Sequence, residues 1–328
     1  MSKKIIAILL VLAVVSVSIF AEGQSEVSQI DRINVVYHPT IGGSTAIAVA
    51  EELGYFAEED LDVHLQMYTS GPPEIAAMVA GQVDVGFIGS GAAWLAFSGD
   101  VDIVSLDNIA LTEEIVTRKN SGITSISDLK GKTIAVQDGA AGFTLLLVAL
   151  EEAGLSVHDV KVLNIANDNI PSTFNEKSID AWAGWKPAMT SLSTALGENS
   201  LLLANNATYP EKAFPSTWVA NKDFVKNKGD VLSKFLRALN KAQIYRAENP
   251  NLACGYASTY AQQATNELTA QLKDVIFPDE ALFREMYTTD KFATMLSNLR
   301  NIQASKLKRS DLTVDDILSD QFIKEIYK

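Results

Sequence analysis

The 328-residue chain has few of the residues that most often carry chemistry. It contains one cysteine, Cys254, and three histidines, His38, His64 and His158. A single cysteine excludes an internal disulfide, and such a residue usually serves as a small buried apolar side chain. The histidines stand apart from one another and from Cys254, so no Cys/His spacing suits a metal. No Ser-His-Asp order suggests a nucleophilic triad, and no glycine-rich phosphate loop stands out. Positive charge is scarce too: 27 Lys and Arg face 40 Asp and Glu, a net −13. That balance argues against nucleic acid or an anionic membrane surface as partner. Low-complexity linkers and fixed-period repeats are both missing. What the chain has in quantity is apolar side chains, 47% of residues, which predicts a packed core and not disorder.

The longest apolar run stands at the start. Lys3 and Lys4 precede residues 5–20, apolar except for Ser16 and Ser18, and Ala21 follows. Basic, apolar and small-residue parts in this order make a secretory signal over 1–21. The apolar part holds 16 residues, short of the roughly 20 needed by a membrane-spanning helix. Cleavage is expected after Ala21. No Cys lies beside the cut to take a lipid, so the product is expected free in the periplasm. The remaining 307 residues carry 25 cationic and 40 acidic side chains, a net −15. Their number suits one large or two medium domains.

From about residue 32, short apolar runs alternate with helical stretches. Strands are expected over 33–37, 61–67, 83–88 and 103–106, with helices over 44–53, 74–80 and from 92 to 97. Gly54 and Gly81 stand where helices end. The rhythm restarts with strands over 115–118, 133–136, 160–164, 180–184 and 201–204, and helices over 142–153 and 170–176. A strand over 218–220 feeds a helical C-terminal third running from Gly229 to the end. This βα alternation implies an α/β protein whose parallel or mixed sheets are covered on both faces. Two crossings, near 114–119 and 214–220, divide the chain into a discontinuous first lobe (22–115 and 217–328) and a second lobe (116–216).

Four stretches carry a family resemblance. They are Glu52-Leu53-Gly54-Tyr55-Phe56-Ala57-Glu58-Glu59, then Ser70-Gly71 through Ala80-Gly81-Gln82-Val83-Asp84-Val85-Gly86 to Ile88-Gly89-Ser90. Ile126-Ser127-Asp128-Leu129-Lys130-Gly131-Lys132-Thr133-Ile134-Ala135-Val136 follows. The last is Asp180-Ala181-Trp182-Ala183-Gly184-Trp185-Lys186-Pro187-Ala188, with Trp218-Val219-Ala220-Asn221-Lys222-Asp223-Phe224 after it. In that order the chain, from about 32 to 300, resembles the periplasmic substrate-binding proteins of ABC importers. Their solutes are taurine, aliphatic sulfonates, nitrate and thiamine-pyrimidine precursors. The resemblance implies a type II periplasmic-binding-protein fold, two α/β lobes around a ligand cleft. It further implies a monomer without cofactor or catalytic residues, partnered by a small-molecule ligand and by ABC permease and ATPase subunits. Two other functions fit the same shape: a module presenting ligand to a sensor, and a pyrimidine-synthase-like enzyme. The enzyme of that kind relies on a Cys-rich segment, which this chain lacks.

Loops at the carboxyl ends of strands, where helices start, point free N–H groups into such a cleft. Candidate ligand residues are therefore Tyr37 and Thr40 in the first such loop, Ser70 and Gly71 in the next, then Ser90 and Gly91. Ser70 and Ser90 read equally as ordinary helix caps. His38 shares the first loop. In the second lobe Asp138, Gly142 and Phe143 occupy the segment 137–144. Taurine-type proteins place hydroxyl side chains there, and Ala140, Ala141 and Gly142 replace them here, which argues against a simple sulfonate. Trp185 matches the family's aromatic before Pro187 and reads as a ligand contact or as core. Glu113 matches a carboxylate near the ligand's amine, or else forms a solvated pair with Glu114. The second taurine-type acid corresponds to Ser216, with Thr217 beside it as a hinge-side contact. When the exported protein is weighed by intact mass spectrometry, the expected product begins at Glu22; a mass that retains residues 1–21 would overturn the cleaved signal.

Overall fold

The computed structural model describes residues 30–209, 212 and 214–328; the expected secretory signal lies outside the described residues. Two mixed sheets organise the chain. The first contains β1 (Asp31–Tyr37), β2 (Leu61–Met67), β3 (Val85–Ile88), β4 (Asp102–Ala110), β10 (Pro215–Ala220) and β11 (Val275–Ile276). Their spatial order is β11-β4-β10-β3-β1-β2, with β1 parallel to β2 and β3, and β10 antiparallel to both β3 and β4. The second contains β5 (Glu113–Arg118), β6 (Thr133–Val136), β7 (Lys161–Asn164), β8 (Ala181–Trp185) and β9 (Ser200–Asn205), in the order β7-β6-β8-β5-β9.

The chain changes sheet twice. It passes from β4 to β5 through Leu111 and Thr112, and returns from β9 to β10 through a stretch that ends at Phe214. The two crossings lie side by side, since Ala110 N–H donates to Phe214 O at 3.0 Å. The sheet change thus falls before the expected boundaries: residue 115 lies inside β5 and Ser216 inside β10. The apolar pattern runs on through Ile109, Ala110 and Leu111, so the turn has no Gly or Pro to mark it.

Helix starts differ from expectation for a packing reason. The helix Ile41–Glu52 begins three residues before the expected 44, because Thr40 is its cap and Thr40 Oγ1 accepts from Gly43 N–H at 3.1 Å. Gly42 and Gly43 are poor interior helix formers, but here they fill the first turn. A Cβ on Gly42 would lie 2.6 Å from Asn108 Nδ2, and one on Gly43 2.8 Å from His38 O. The helix Gly71–Val79 likewise starts early, with Pro72 and Pro73 in its first turn, where their missing N–H groups cost nothing. The expected helix over 170–176 is a 3-10 segment, Asn167–Thr173, and the helix Ala188–Leu196, which buries Ala188, Met189 and Leu192, was not among those expected. The C-terminal third is helical in pieces, not throughout. After the helix Lys291–Ile302, residues 307–320 run largely without helix against β4, where Ile103 N–H donates to Ile317 O and Ser319 N–H to Ile103 O, both at 2.8 Å.

β4 extends past the expected Leu106 to Ala110, through two polar residues. Asp107 is fully buried, and its carboxylate accepts from Arg246 Nη1 (2.9 Å), Trp218 Nε1 (2.8 Å), Gln243 Nε2 (3.1 Å) and Asn108 Nδ2 (2.6 Å). Arg246 and Gln243 lie on the helix Gly229–Glu248, so one carboxylate ties that helix to both crossing strands. Losing one partner of a buried ion pair costs about 3–5 kcal/mol, whereas replacing both by apolar residues is often neutral. Urea unfolding is therefore expected to show Arg246→Met destabilised by about that amount. Adding Asp107→Leu should not recover the loss, because Trp218 Nε1, Gln243 Nε2 and Asn108 Nδ2 then lose this acceptor; equal stability of Arg246→Met and wild type would contradict the role given to the pair.

Candidate functional site

A cavity of about 580 Å³, its open mouth included, lies between the two sheets beside the crossings. Its walls come from the ends of strands and the starts of helices. The first-lobe wall contains His38, Thr40, Ile41 and Gly42 after β1, Ser70 and Gly71 after β2, and Phe87 with Gly89 and Ala92 at β3. Asn108, Ala110, Ser216 and Val275 form its floor, Thr112 and Glu113 its hinge side, and Ala140, Ala141 and Trp185 the second-lobe wall. Three helices of nine residues or more, Ile41–Glu52, Gly71–Val79 and Ala141–Glu152, begin at this surface. The first N–H groups of Ile41–Glu52 and Ala141–Glu152 favour an acceptor-rich group of a ligand, whereas Pro72 and Pro73 leave Gly71–Val79 little to donate.

Two ionisable side chains face the cavity, and burial holds both toward neutrality. Glu113 is 2% exposed, its Oε2 has no hydrogen-bond partner among the described residues, and burial pushes its carboxyl up to about 7. Asn206 holds the backbone there, its Oδ1 accepting from Glu113 N–H at 2.9 Å. His38 meets Glu74 through Nε2 and Oε2 at 2.7 Å, and burial pulls its imidazole down to about 3. Burial pushes Glu74 well above the usual carboxylate range. The lining described contains no Lys or Arg. Trp185 is fixed by its backbone: its N–H donates to Asn167 Oδ1 at 3.0 Å and its carbonyl accepts from Asn167 Nδ2 at 3.3 Å.

The lobes meet on both sides of the cavity. Gly91 lies so close to Ala140 and Ala141 that a Cβ would be 1.9 Å from their backbone. Nearby, Trp94 Nε1 donates to Gly139 O at 3.1 Å, and Gln303 Nε2 donates to Ser90 O (2.9 Å) and to Thr144 Oγ1 (2.8 Å). On the other rim Lys186 Nζ pairs with Asp274 at 2.8 Å and Glu114 at 3.3 Å.

Of the residues singled out from sequence, Thr40, Ser70, Gly71, Glu113 and Trp185 line the cavity, as does His38. The structure places the others elsewhere. Tyr37 packs edge-on against Tyr260 at 5.9 Å. Ser90 is fully buried behind the wall with its Oγ unpartnered, and Gly91 is consumed by the lobe contact. Asp138 pairs with Lys306, whose ammonium also sits 4.6 Å from the Phe143 ring centroid. Gly142 abuts Gly184, and Thr217 is buried inside β10. They miss the cavity for different reasons: Tyr37 ends β1 and Thr217 lies inside β10, Ser90, Gly91 and Asp138 fall where the chain has turned into lobe contact, and Gly142 and Phe143 are in the first turn of the helix Ala141–Glu152. Asn108 and Thr112 went unmarked. The signal for Asn108 is the adjacent polar pair Asp107-Asn108 within a strand otherwise rich in apolar residues.

Glu114 does not form a solvated pair with Glu113. Adjacent residues of β5 point to opposite faces, Glu113 inward and Glu114 toward Lys186. Among the described residues no cluster of His, Cys, Asp and Glu could hold a metal ion.

The family model described as NMT1/THI5 like matches residues 42–253. A provisionally named binding protein of Brucella abortus is 29% identical over 242 residues, 74% of this chain and 75% of that protein. The taurine-binding periplasmic protein of Escherichia coli is 26% identical over 230 residues, 68% of this chain and 70% of that one. Among solved structures, the alkanesulfonate-binding protein SsuA of Xanthomonas axonopodis pv. citri, bound to MOPS, superposes with a TM-score of 0.69 at 20% identity, over 89% of this chain and 99% of that chain. The two-lobed periplasmic-binding-protein fold expected from the sequence is the fold found.

Glu113 gives the site a pH signature. Its carboxyl moves from an ordinary 4.5 to about 7, so the folded state holds the proton more tightly than the unfolded chain. Its contribution is fully present below the ordinary value and is lost as pH rises through 7, a change of about 3 kcal/mol. Urea denaturation without ligand is expected to show Glu113→Gln losing less stability than wild type between about pH 5 and 7.5. Parallel pH profiles would refute the burial that raises this carboxyl.

Proposed function

The chain belongs to the NMT1/THI5-like family, and from that premise we propose that it is the extracytoplasmic solute-binding component of an ABC importer. The observation that carries this reading is the cavity itself, closed by both lobes at a double crossing and lined by groups suited to holding a small molecule. The solute enters the open cleft and meets the helix starts and floor of the first lobe. Closing the second lobe brings Trp185, Ala140 and Ala141 over it, excludes water and strengthens each polar contact. The closed form is what a permease and its ATPase would accept.

The lining narrows the solute class. Backbone N–H groups at the starts of Ile41–Glu52 and Ala141–Glu152 call for an acceptor-rich end, such as an oxyanion or carbonyl. The unpartnered Glu113 oxygen calls for an N–H on the solute, because an unmet buried acceptor costs about 1–3 kcal/mol. Phe87, Ile41 and Trp185 leave room for an apolar or planar middle. The taurine relative and the alkanesulfonate-binding structure put sulfonates into the screen, but Ala140, Ala141 and Ser216 stand where taurine-type sites carry hydroxyls and an acid, which disfavours taurine itself and points to other solutes with an N–H and an acceptor group.

Binding without turnover is part of the proposal. Cys254 is buried against Ile41, Ala48 and Ala257, outside the cavity lining, and His38 is too weak a base at neutral pH to take a proton from a hydroxyl. Glu113, near 7, is the one cavity group whose ionisation would suit proton transfer. Mass spectrometry of recovered ligand separates the two readings, since a binding protein returns it unchanged.

The decisive screen is thermal shift with taurine, alkanesulfonates, nitrate, pyrimidines and aromatic carboxylates. A true solute raises Tm with concentration by mass action. Trp185→Ala is expected to weaken that compound at least tenfold, the loss typical of an aromatic anchor. No Tm response from any of them, together with an unchanged Kd in Trp185→Ala for any later hit, would retire this assignment of the site.

A further inference from the structure

Glu74 is a buried acid that the solute site, as described so far, does not use. It sits on the helix Gly71–Val79, is 0% exposed, and touches the cavity only through His38. Its Oε2 lies 2.7 Å from His38 Nε2, while Oε1 has no partner among the described residues. The space for this carboxyl is built into the sheet, because a Cβ on Gly86 of β3 would lie 1.9 Å from Oε1. No Lys or Arg pairs with it in the described structure. A carboxylate in that position would be a buried charge with a single donor, an arrangement that costs several kcal/mol. The protonated acid avoids this by donating Oε2–H to the imidazole.

That choice determines the ring. If Nε2 accepts from Glu74, the ring's own proton must be on Nδ1. The ring plane is fixed as well, by edge-on contact with Phe87 at 5.3 Å. His38 lines the cavity, and its Nδ1 has no hydrogen-bond partner among the described residues. We propose that Glu74 is a positioning residue for the solute site: it locks His38 in the Nδ1–H tautomer, which makes that ring a fixed hydrogen-bond donor for an acceptor on the solute. The directions in which burial moves the two groups, Glu74 upward and His38 downward, agree with a neutral pair. With Glu113 as acceptor and His38 as donor, the cavity selects solutes that present both an N–H and an acceptor group, and disfavours those with only one. This selection rests on the cavity being the solute site, but the tautomer does not.

The test is a long-range proton–nitrogen NMR spectrum of the 15N-labelled full-length mature protein at pH 7, without ligand. The His38 signals are assigned by their loss in His38→Gln, which leaves His64 and His158. The expected pattern is a protonated Nδ1 and an unprotonated, hydrogen-bonded Nε2. An Nε2–H tautomer, or an imidazolium with both nitrogens protonated, overturns the proposal. In Glu74→Leu the ring should lose its single tautomer and show exchange between both; an unchanged Nδ1–H spectrum would mean that Glu74 is not what fixes it. Should that variant fail to fold, the wild-type spectrum still decides. A solute screen without any Tm response would count against the site as a whole and leave the tautomer standing, so the two failures are distinguishable.

Discussion

The buried carboxylate of Asp107 is the constraint on which the first lobe depends. It sits at the middle of the floor strand, at the level where the two crossing strands run side by side. Trp218 on β10 and Arg246 and Gln243 on the longest helix all donate to it. Arg246 reaches further, to Gly42 O at 3.4 Å and Thr45 Oγ1 at 3.3 Å, with its guanidinium 4.1 Å from the Phe277 ring centroid. The first cavity-lining helix, the floor and the C-terminal helical layer therefore share one polar centre. A charge in such a place gives little net stability, because desolvation offsets the attraction. What it supplies is register: each donor is satisfied in only one arrangement of strand and helix. Asn108, the next residue, is held in the same network and forms the cavity floor against Gly42.

Above this floor the buried carboxyls have fewer donors, although, beside Asp107, Arg246 Nε and Gln243 Oε1 are themselves unpartnered among the described residues. Asp107 has four donors, whereas Glu113 retains an unpartnered oxygen and Glu74 has one partner. Unmet buried polar atoms are a cost in an empty site and a source of affinity in a filled one, since a ligand that meets them recovers their desolvation. The lobes contribute differently. The first lobe holds the His38–Glu74 pair, and the second adds Glu113 at the start of β5, Trp185 and the small residues Ala140 and Ala141. Small residues there let the lobes approach closely at Gly91, and the contacts of Trp94, Gln303 and Lys186 secure the rims.

Much of the element order was legible because it depends on local chemistry. Alternation over Leu61–Met67 gave β2 to the residue, and the apolar run of β6 did the same. Helix starts were read late where Gly42, Gly43, Pro72 and Pro73 masked them; those residues are chosen for close approach and for first-turn geometry, not for propensity. The inward role of Glu113 was suggested by the family resemblance alone, and it took the paired strand to separate it from Glu114. Glu74 could not be found this way. An acid in the first turn of a helix looks like an ordinary dipole partner, and only Gly86 across the sheet shows that a pocket was cut for it.

By itself, then, the sequence determined the α/β alternation, the caps and breaks, the acidic surface and the presence of two lobes, because each follows from neighbours within a few positions. The tertiary structure alone decided which strand ends form the cavity and which are spent on lobe contact. Ser90 and Gly91 show the difference: Gln303, more than two hundred residues later, takes their carbonyls, and the backbone of Ala140 and Ala141 takes the space beside Gly91. Such pairings are set by the burial of polar atoms from distant segments in one volume, a condition that chain propensity does not encode.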